Sequence, residues 1–506
     1  MTPPIAACCG RWRLVRQRRL IFYLIFYVLL VFALTPIFIP SYTRLPAHYQ
    51  TLNEKCDGPS PKTTCANPHR EKVFIAAILY DENGTLAGGI WGRRVLALIN
   101  LLGPENVFLS IYENDSGARG QAALAAFKQL VPCPNHIVSE EHLPLTGFYN
   151  ITFPNGSQRT KRVAYLSELR NRALRPLDDF REDRDIVKFD KVLFLNDAAF
   201  EPMDAAHLLF NTNQGPDGRA SYVAACAVDW FHPFRTYDVY ALRDAEGYAN
   251  YQTLFPFFGK RGGAISRTGV LRQSDAVRVK SCWGGMMAMQ AEYIQNLNKY
   301  LPSPAFGTVN GHVIDPDYPR NVTAPVRFRY EPGVFYDACE CCLFSADLEQ
   351  VARQDGAVET GIYANPFVRV AYTEEVLRWL PYVKRWERLF VLAFTFQSWF
   401  TPAAENPYRT VQEGEPFTEE IWDGEEWRLV SRVGRNGMFC GIRDMQVLRK
   451  EGAKPGKLSY NWVNTRRPPG QTLQFRSWWG PELSANWREE YMATAPAERD
   501  AFFEFE

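Results

Sequence analysis

Four short apolar runs, each closing on a polar or aromatic residue, constrain this chain more than any other feature. They are "VFIAAILY" (Val73–Tyr80), "NVFLSIYEND" (Asn106–Asp115), "KVLFLNDAAF" (Lys191–Phe200) and "SYVAACAVDW" (Ser221–Trp230). Compact apolar runs bounded by polar punctuation read as strands buried on both faces, as in a parallel sheet. Between them, "LAGGIWGRRVLALINLLG", "GARGQAALAAFKQLV" and "RVAYLSELRNRALRPL" (Arg162–Leu177) carry helical spacing, the first stopping at Gly103. "HIVSEEHLP" offers a further strand and loop. The alternation predicts an α/β fold: a mostly parallel sheet with helices on both faces and right-handed crossovers. In such sheets ligands gather outside the carboxyl ends of the strands. Asn196 and Asp197 close one of these runs, so Asp197 either holds a ligand there or caps the helix beginning in "EPMDAAHLLF".

The N-terminus sets the compartment. Leu20–Pro40 is uncharged and as long as the roughly 20 apolar residues that cross a bilayer. Arg11, Arg13, Arg16, Arg18 and Arg19 precede it and belong on the cytoplasmic side. Bulky residues around Pro36 and Pro40 argue against a cleaved signal peptide. The expected layout is a cytoplasmic tail (1–19), a signal-anchor helix (20–40), a stem (41–70), a catalytic domain (71–372) and a C-terminal helical and accessory region (373–506), all beyond the anchor being lumenal. Sequons at Asn83, Asn114, Asn150, Asn155 and Asn321 agree with a lumenal body. A formal net charge of +1 gives no basic face for nucleic acid. Cys8 and Cys9 lie before the anchor, as free thiols or acylation sites. The remaining nine cysteines are an odd number in a compartment where disulfides persist. Cys56 and Cys65 flank a short loop and suit a bridge; "CECC" (Cys339–Cys342) suits disulfides better than zinc, lacking a second spaced ligand pair. Leu377–Phe400 is apolar, but Lys384, Arg385, Glu387 and Arg388 interrupt it, which predicts a packed or interfacial helix rather than a second span.

The glycines of "LAGGIWGRR" match neither a dinucleotide fingerprint nor a phosphate loop. A lumenal α/β enzyme instead suits transfer from nucleotide sugars, whose leaving diphosphate is stabilised by a divalent cation on a carboxylate. Literal Asp-x-Asp patterns at Asp183/Asp185 and Asp315/Asp317 lack a strand behind them. "FLND" has one, so Asp197 is the candidate metal ligand and Asn196 the candidate nucleotide contact. "SELRNRAL" places Arg170 and Asn171 where they could contact the nucleotide, unless Arg170 is a surface charge paired with Glu168. Asp229 is a second carboxylate at a strand end. In "CWGG", Gly284 and Gly285 suit close approach of backbone to a ligand, and Trp283 suits stacking on a sugar; the alternative is a turn with a core Trp.

"FLNDAAFEP", "AACAVDW" with "YDVYALRD", "SCWGGMMAM" and "ECCLFSADL", in this order after a signal anchor, resemble the fungal capsule-associated (cryptococcal) α-1,3-mannosyltransferase family. The resemblance covers roughly Val73 to Tyr372. It implies a GT-A-like fold, GDP-mannose as donor, Mn²⁺ (or Mg²⁺) as cofactor, an α-mannoside acceptor and a Golgi lumenal location. Retention of configuration would place a carboxylate near the anomeric carbon, for which Glu340 and Asp337 are the candidates; His312 in "NGHVIDPDYP" would complete a metal shell. Two other classes stay open: a glycoside hydrolase, with two carboxylates flanking a bond, and a non-catalytic lectin or scaffold subunit.

Overall fold

The computed structural model describes residues 6–465 except 58–62, 154–155, 179–186, 250–251, 298–321, 334–336, 357–360, 401–410, 412, 423–426, 443–444 and 450–460. Each apolar run is a strand: β1 (Val73–Leu79), β2 (Val107–Asn114), β4 (Lys191–Leu195) and β5 (Ala224–His232). With β3 (Asn135–Glu140), β6 (Val277–Ser281), β7 (Met286–Gln290) and β8 (Ile362–Ala371) they form one sheet, ordered β3-β2-β1-β4-β7-β5-β8-β6. β1, β2, β3 and β4 are mutually parallel, as are β5 and β8. β7 runs opposite to both β4 and β5, which makes those two parallel across it. The sheet is therefore mixed and mostly parallel.

β4 is buried along its whole length. Val192 and Phe194 face a core completed by Leu169, Ala173 and Leu174 of α5 (Arg162–Leu174) and by Leu343 and Phe344 of α8 (Glu340–Gln354). Leu193 and Leu195 face the opposite core, with Val95, Leu98 and Ile99 of α3 (Ile90–Leu102) and Leu208 and Leu209 of α6 (Pro202–Phe210). Two-sided burial is why this strand reads as an unbroken apolar run, each such side chain contributing about 1.5–3 kcal/mol.

The flanking regions are less separate than their composition suggests. Within the expected stem, α2 (Ala47–Cys56) docks on the core through Tyr49 and Leu52, 0% and 4% exposed. Only those two side chains of a polar helix are buried, so its pattern is too weak to read from sequence. Cys56–Cys65 is a disulfide, as expected. The accessory region also joins the core: Gly441–Ile442 pairs with Asp337–Ala338, and Cys440 is bonded to Cys342. Among the cysteines whose side chains are described, Cys133, Cys339 and Cys341 are thiols, in keeping with the odd number beyond the apolar run. Of the described sequons, Asn83 and Asn150 are exposed, whereas Asn114 is buried against the Tyr165 hydroxyl.

α1 (Ala6–Phe38) contains a span, Arg16–Phe38, long and apolar enough to cross a membrane, with mean hydropathy 2.6. The Leu377–Phe400 segment is no second span. It forms α9 (Glu374–Val383), a 3₁₀ turn (Lys384–Leu389) and α10 (Phe390–Phe400), which pack on the body. Its glutamate is fully buried: Glu387 pairs with Arg369 of β8 (Nη2–Oε2 2.9 Å) and accepts from Ser41 Oγ (3.1 Å). Replacing Glu387 by Ala leaves the Arg369 guanidinium buried and unpaired, which costs about 3–5 kcal/mol. The denaturant midpoint of the detergent-solubilised chain should fall accordingly. An unchanged midpoint would mean that Arg369 finds solvent.

Candidate active site

The chain leaves β4 under tight backbone control. The Asn196 amide donates to the Gly285 carbonyl (3.0 Å), extending the β4–β7 ladder, and the Trp91 indole of α3 donates to the Asn196 carbonyl (3.0 Å). Three residues on, Ala199 and Ala371 exchange both backbone hydrogen bonds (2.7 and 2.9 Å), tying the segment to the end of β8. Asp197 stands between these pins. It does not cap the next helix, because α6 begins at Pro202 with Glu201 at the N-cap position. Asp197 is exposed to solvent at the end of β4, yet enough protein packs around its carboxyl to desolvate it. That setting raises its pKa above the ordinary carboxylate value by desolvation, opposed by its own amide and by the charge of Arg170.

Trp283 organises the wall beside it. Its indole N–H donates to Asn196 Oδ1 (3.1 Å), its ring packs on Phe194 and Phe328, and the Arg170 guanidinium lies 4.9 Å from the ring centroid. Arg170 is no surface charge: it is 7% exposed and pairs with Glu340 of α8. Glu168 pairs instead with Arg172 and Arg175. A largely desolvated cation–π contact of this kind contributes about 2 kcal/mol. Gly284 and Gly285 take φ values of +55° and +69°. A Cβ on Gly284 would lie 1.8 Å from the Ala227 carbonyl oxygen, so the close approach here is to β5 itself. The Cys226–Cys282 disulfide fixes the same turn to β5.

Two residues outside the sequence-based candidates join the site. Asp238 accepts the amides of Trp283 (3.2 Å) and Gly284 (3.4 Å) through Oδ2 and that of Ala241 (2.8 Å) through Oδ1, clamping the glycine turn. Tyr372, directly after β8, donates to Asp229 Oδ2 (3.2 Å). Burial, then the charges of Asp229 and Asp197, hold its phenol well above the ordinary range. The "YDVYALRD" run and an aromatic residue closing a strand were the available signals. Neither identifies its partner.

Several candidates have other occupations. Both ends of the Asn171 amide bond the Phe328 backbone (2.8 and 2.9 Å), and the residue is 2% exposed, so in this structure it positions the aromatic wall. Asp337 is 0% exposed, pairs with Lys161 (3.3 Å) and accepts from the Gln446 amide (3.2 Å). Glu340 is 2% exposed and engaged by Arg170. Both carboxylates are closed off in ion pairs, whereas retention chemistry led one to expect an open one. Cys339, Glu340 and Cys341 bring their ligand atoms within 4.8 Å, all buried. His312 and both Asp-x-Asp patterns lie outside the described residues.

The mostly parallel sheet, with one antiparallel strand inserted and helices packed against it, is a GT-A-like fold. A family model described as Cryptococcal mannosyltransferase 1 matches residues 72–347, more than half of the chain, and the chain belongs to that family. No curated protein matches. Among solved structures, the mannosyltransferase PcManGT from Pyrobaculum calidifontis, in complex with GDP-Man and Mn²⁺, is similar at 10% identity and a TM-score of 0.30, covering 69% of this chain and 71% of that one. Glucosyl-3-phosphoglycerate synthase from Mycobacterium tuberculosis, with Mg²⁺ and uridine-diphosphate, is 11% identical at a TM-score of 0.30, covering 78% of this chain and 97% of that one. Mannosyl-3-phosphoglycerate synthase from Rubrobacter xylanophilus is 12% identical at a TM-score of 0.29, covering 78% and 94%. Similarity this remote says nothing about individual residues.

Asp229 gives the site a pH signature. It is 2% exposed, and burial, then the adjacent Asp238, push its pKa up to about 7. The folded chain thus holds a proton that the unfolded chain releases near pH 4, so stability falls as pH rises from about 4 to about 7. Asp229→Asn cannot ionise and should flatten that fall. Melting curves from pH 5 to 8 in the presence of a chelator check it; parallel curves for the two proteins would assign the slope elsewhere.

Proposed function

We propose that this chain transfers mannose from GDP-mannose to an α-mannoside acceptor, forming an α-1,3 bond with retention, in the Golgi lumen. The observation that carries the reading is Asp197: a solvent-open carboxylate pinned by backbone at the ligand edge of the sheet, in a chain of a mannosyltransferase family. Asp229 and Asp238 on the same edge are hydrogen-bonded to protein, whereas no described side chain donates to Asp197. A solvent-open carboxylate oxygen suits a hard divalent cation, Mn²⁺ or Mg²⁺. Bound there, such a cation would neutralise charge developing on the leaving diphosphate.

The chain's own residues supply the rest. Tyr80, 60% exposed after β1 on the same edge, offers a ring for the base. Trp283 holds the Asn196 amide, and Arg170 beneath it adds positive charge near the phosphates without touching them. With Glu340 and Asp337 engaged in ion pairs, front-face attack suits the site. The acceptor oxygen bonds the anomeric carbon as the carbon–phosphate oxygen bond breaks, and the acceptor proton passes to the departing phosphate oxygen.

The apolar Arg16–Phe38 span after an arginine cluster, and three disulfides beyond it, support a single anchor with a lumenal body. In intact microsomes the C-terminal half should resist protease until detergent is added. Digestion without detergent would overturn this topology.

Asp197→Asn keeps shape but removes charge. Mannose transfer from GDP-mannose, measured with Mn²⁺ titrated, should fall about 100-fold, on the order of 3 kcal/mol, while the melting temperature stays unchanged. Near-normal transfer would remove Asp197 from the reaction. Absence of GDP-mannose turnover by the native chain would favour the scaffold alternative, and release of mannose from glycans without nucleotide would favour a hydrolase.

A further inference from the structure

Buried arginines in this chain have matched partners. Arg327 pairs with Asp178, Arg329 with Asp347 and Arg369 with Glu387, while Arg243 donates to the carbonyls of Tyr240, Leu242, Phe439 and Cys440. Arg267, on α7 (Ile265–Leu271), is 5% exposed and differs. It donates to one carbonyl, that of Phe258 (2.8 Å), and lies over the Phe394 ring at 5.0 Å. No described carboxylate pairs with it. Burial pulls its pKa down without a neighbouring acid to oppose the shift. A guanidinium stays charged regardless, and a buried charge without a counter-ion is costly.

The side chain lines a cavity of about 380 Å³ between α7 and α10, together with Gln252, Lys260, Arg261, Phe394 and Trp399. Three cations thus meet there. The carboxylate lining it, Asp244, already accepts the amides of Glu246 (2.9 Å) and Tyr248 (2.8 Å).

The cavity also lies close to the end of the apolar span. Arg267 is about 6 Å along the helix from Leu271, at about 1.5 Å per residue. The Leu271 carbonyl accepts from Arg388 Nη2 (2.9 Å), and Arg388 Nε donates to Pro40 just past α1 (3.4 Å). Tyr42 bonds the Val270 carbonyl (3.2 Å). On the adjoining 3₁₀ turn, Trp386 stacks on Phe32 at 4.9 Å and donates to its carbonyl (2.9 Å). The cavity's other wall, α10, turns Leu392, Phe396 and Trp399 outward at 74%, 60% and 73% exposure. Spaced i, i+4, i+7, these three share one face, the pattern of a helix lying in a membrane interface.

We propose that this cavity binds the phosphate headgroup of an anionic membrane lipid, with the α10 stripe seated in the lumenal leaflet; the proposal rests on α1 being the anchor. Arg267 supplies a fixed fork for the phosphate oxygens, Lys260 and Arg261 close over it, and Trp399 meets the acyl boundary.

The test uses the full chain in dodecyl maltoside, titrated with dioctanoyl phosphatidic acid, dioctanoyl phosphatidylcholine and inorganic phosphate. Phosphatidic acid should bind at least about tenfold more tightly than either control. Arg267→Leu should weaken it about tenfold or more. Because that variant removes a buried contact, Lys260→Gln/Arg261→Gln is measured in parallel with a melting curve, and should weaken binding likewise while melting normally. Unchanged affinity in the folded double variant overturns the site. Inorganic phosphate binding as tightly as the lipid would make it a free-ion site, and equal affinity for phosphatidylcholine an apolar groove; either overturns the proposal. Release of the full chain from membranes by carbonate would overturn the anchor and with it the seating of α10, whereas failure of the detergent titration overturns the headgroup site alone.

Discussion

The candidate site depends on one indole. Trp283 receives the Arg170 guanidinium on its face and donates its N–H to Asn196, so a helix, a strand end and a turn distant in sequence share a single side chain. The remaining partners complete the frame. Glu340 neutralises Arg170, Asp238 holds the Trp283 amide, and the Cys226–Cys282 disulfide fixes the preceding residue to β5. Buried charge, aromatic faces and hydrogen bonds reinforce each other here because water is excluded from all three. The outcome is a rigid wall beside a carboxylate that is left open.

The contrast among acids on this edge is the chemically telling feature. Asp229 is buried and Asp238 half-buried, and each accepts hydrogen bonds and is made reluctant to ionise by desolvation. Asp197 shares the desolvating surroundings but keeps its oxygens available to solvent. A carboxylate so placed is ready for a cation or a ligand, whereas its neighbours shape backbone. Glu340 and Asp337 belong with the shaping groups. Their ion pairs with Arg170 and Lys161 join α8 and the C-terminal strands to α5 and to the segment just before it.

The same pairing of buried charge runs through the side of the body next to the apolar span. Arg369 and Glu387 tie β8 to the turn that touches α1, and Ser41 extends that pair to the residues just after the span. The stem is therefore no loose tether in this structure; Tyr42 and Tyr49 are 1% and 0% exposed within the body. The residues just after the apolar span and the strand edge are thus parts of one packed unit.

Much of this was legible in the residues because it is local. A strand buried on both faces must be apolar throughout, so β1, β2, β4 and β5 announce themselves, and the polar residues after β4 must fall at its carboxyl edge. An uncharged run of bilayer length after arginines is equally self-evident. The charges between Lys384 and Arg388 likewise signalled that the second apolar segment packs rather than spans. Tertiary structure alone decided the pairings. Glu168 lies two positions from Arg170, yet Arg170 finds Glu340, because the crossover carrying α8 brings that carboxylate against the buried face of α5. Nothing near Asn171 in the chain points to the Phe328 backbone that it bonds, and nothing near Tyr372 points to Asp229. Asp197 carried two readings until the fold placed Glu201 before α6. Short-range pattern dictates which segments are buried, but a side chain's partner is set by how distant segments stack, and no spacing in the chain encodes that distance.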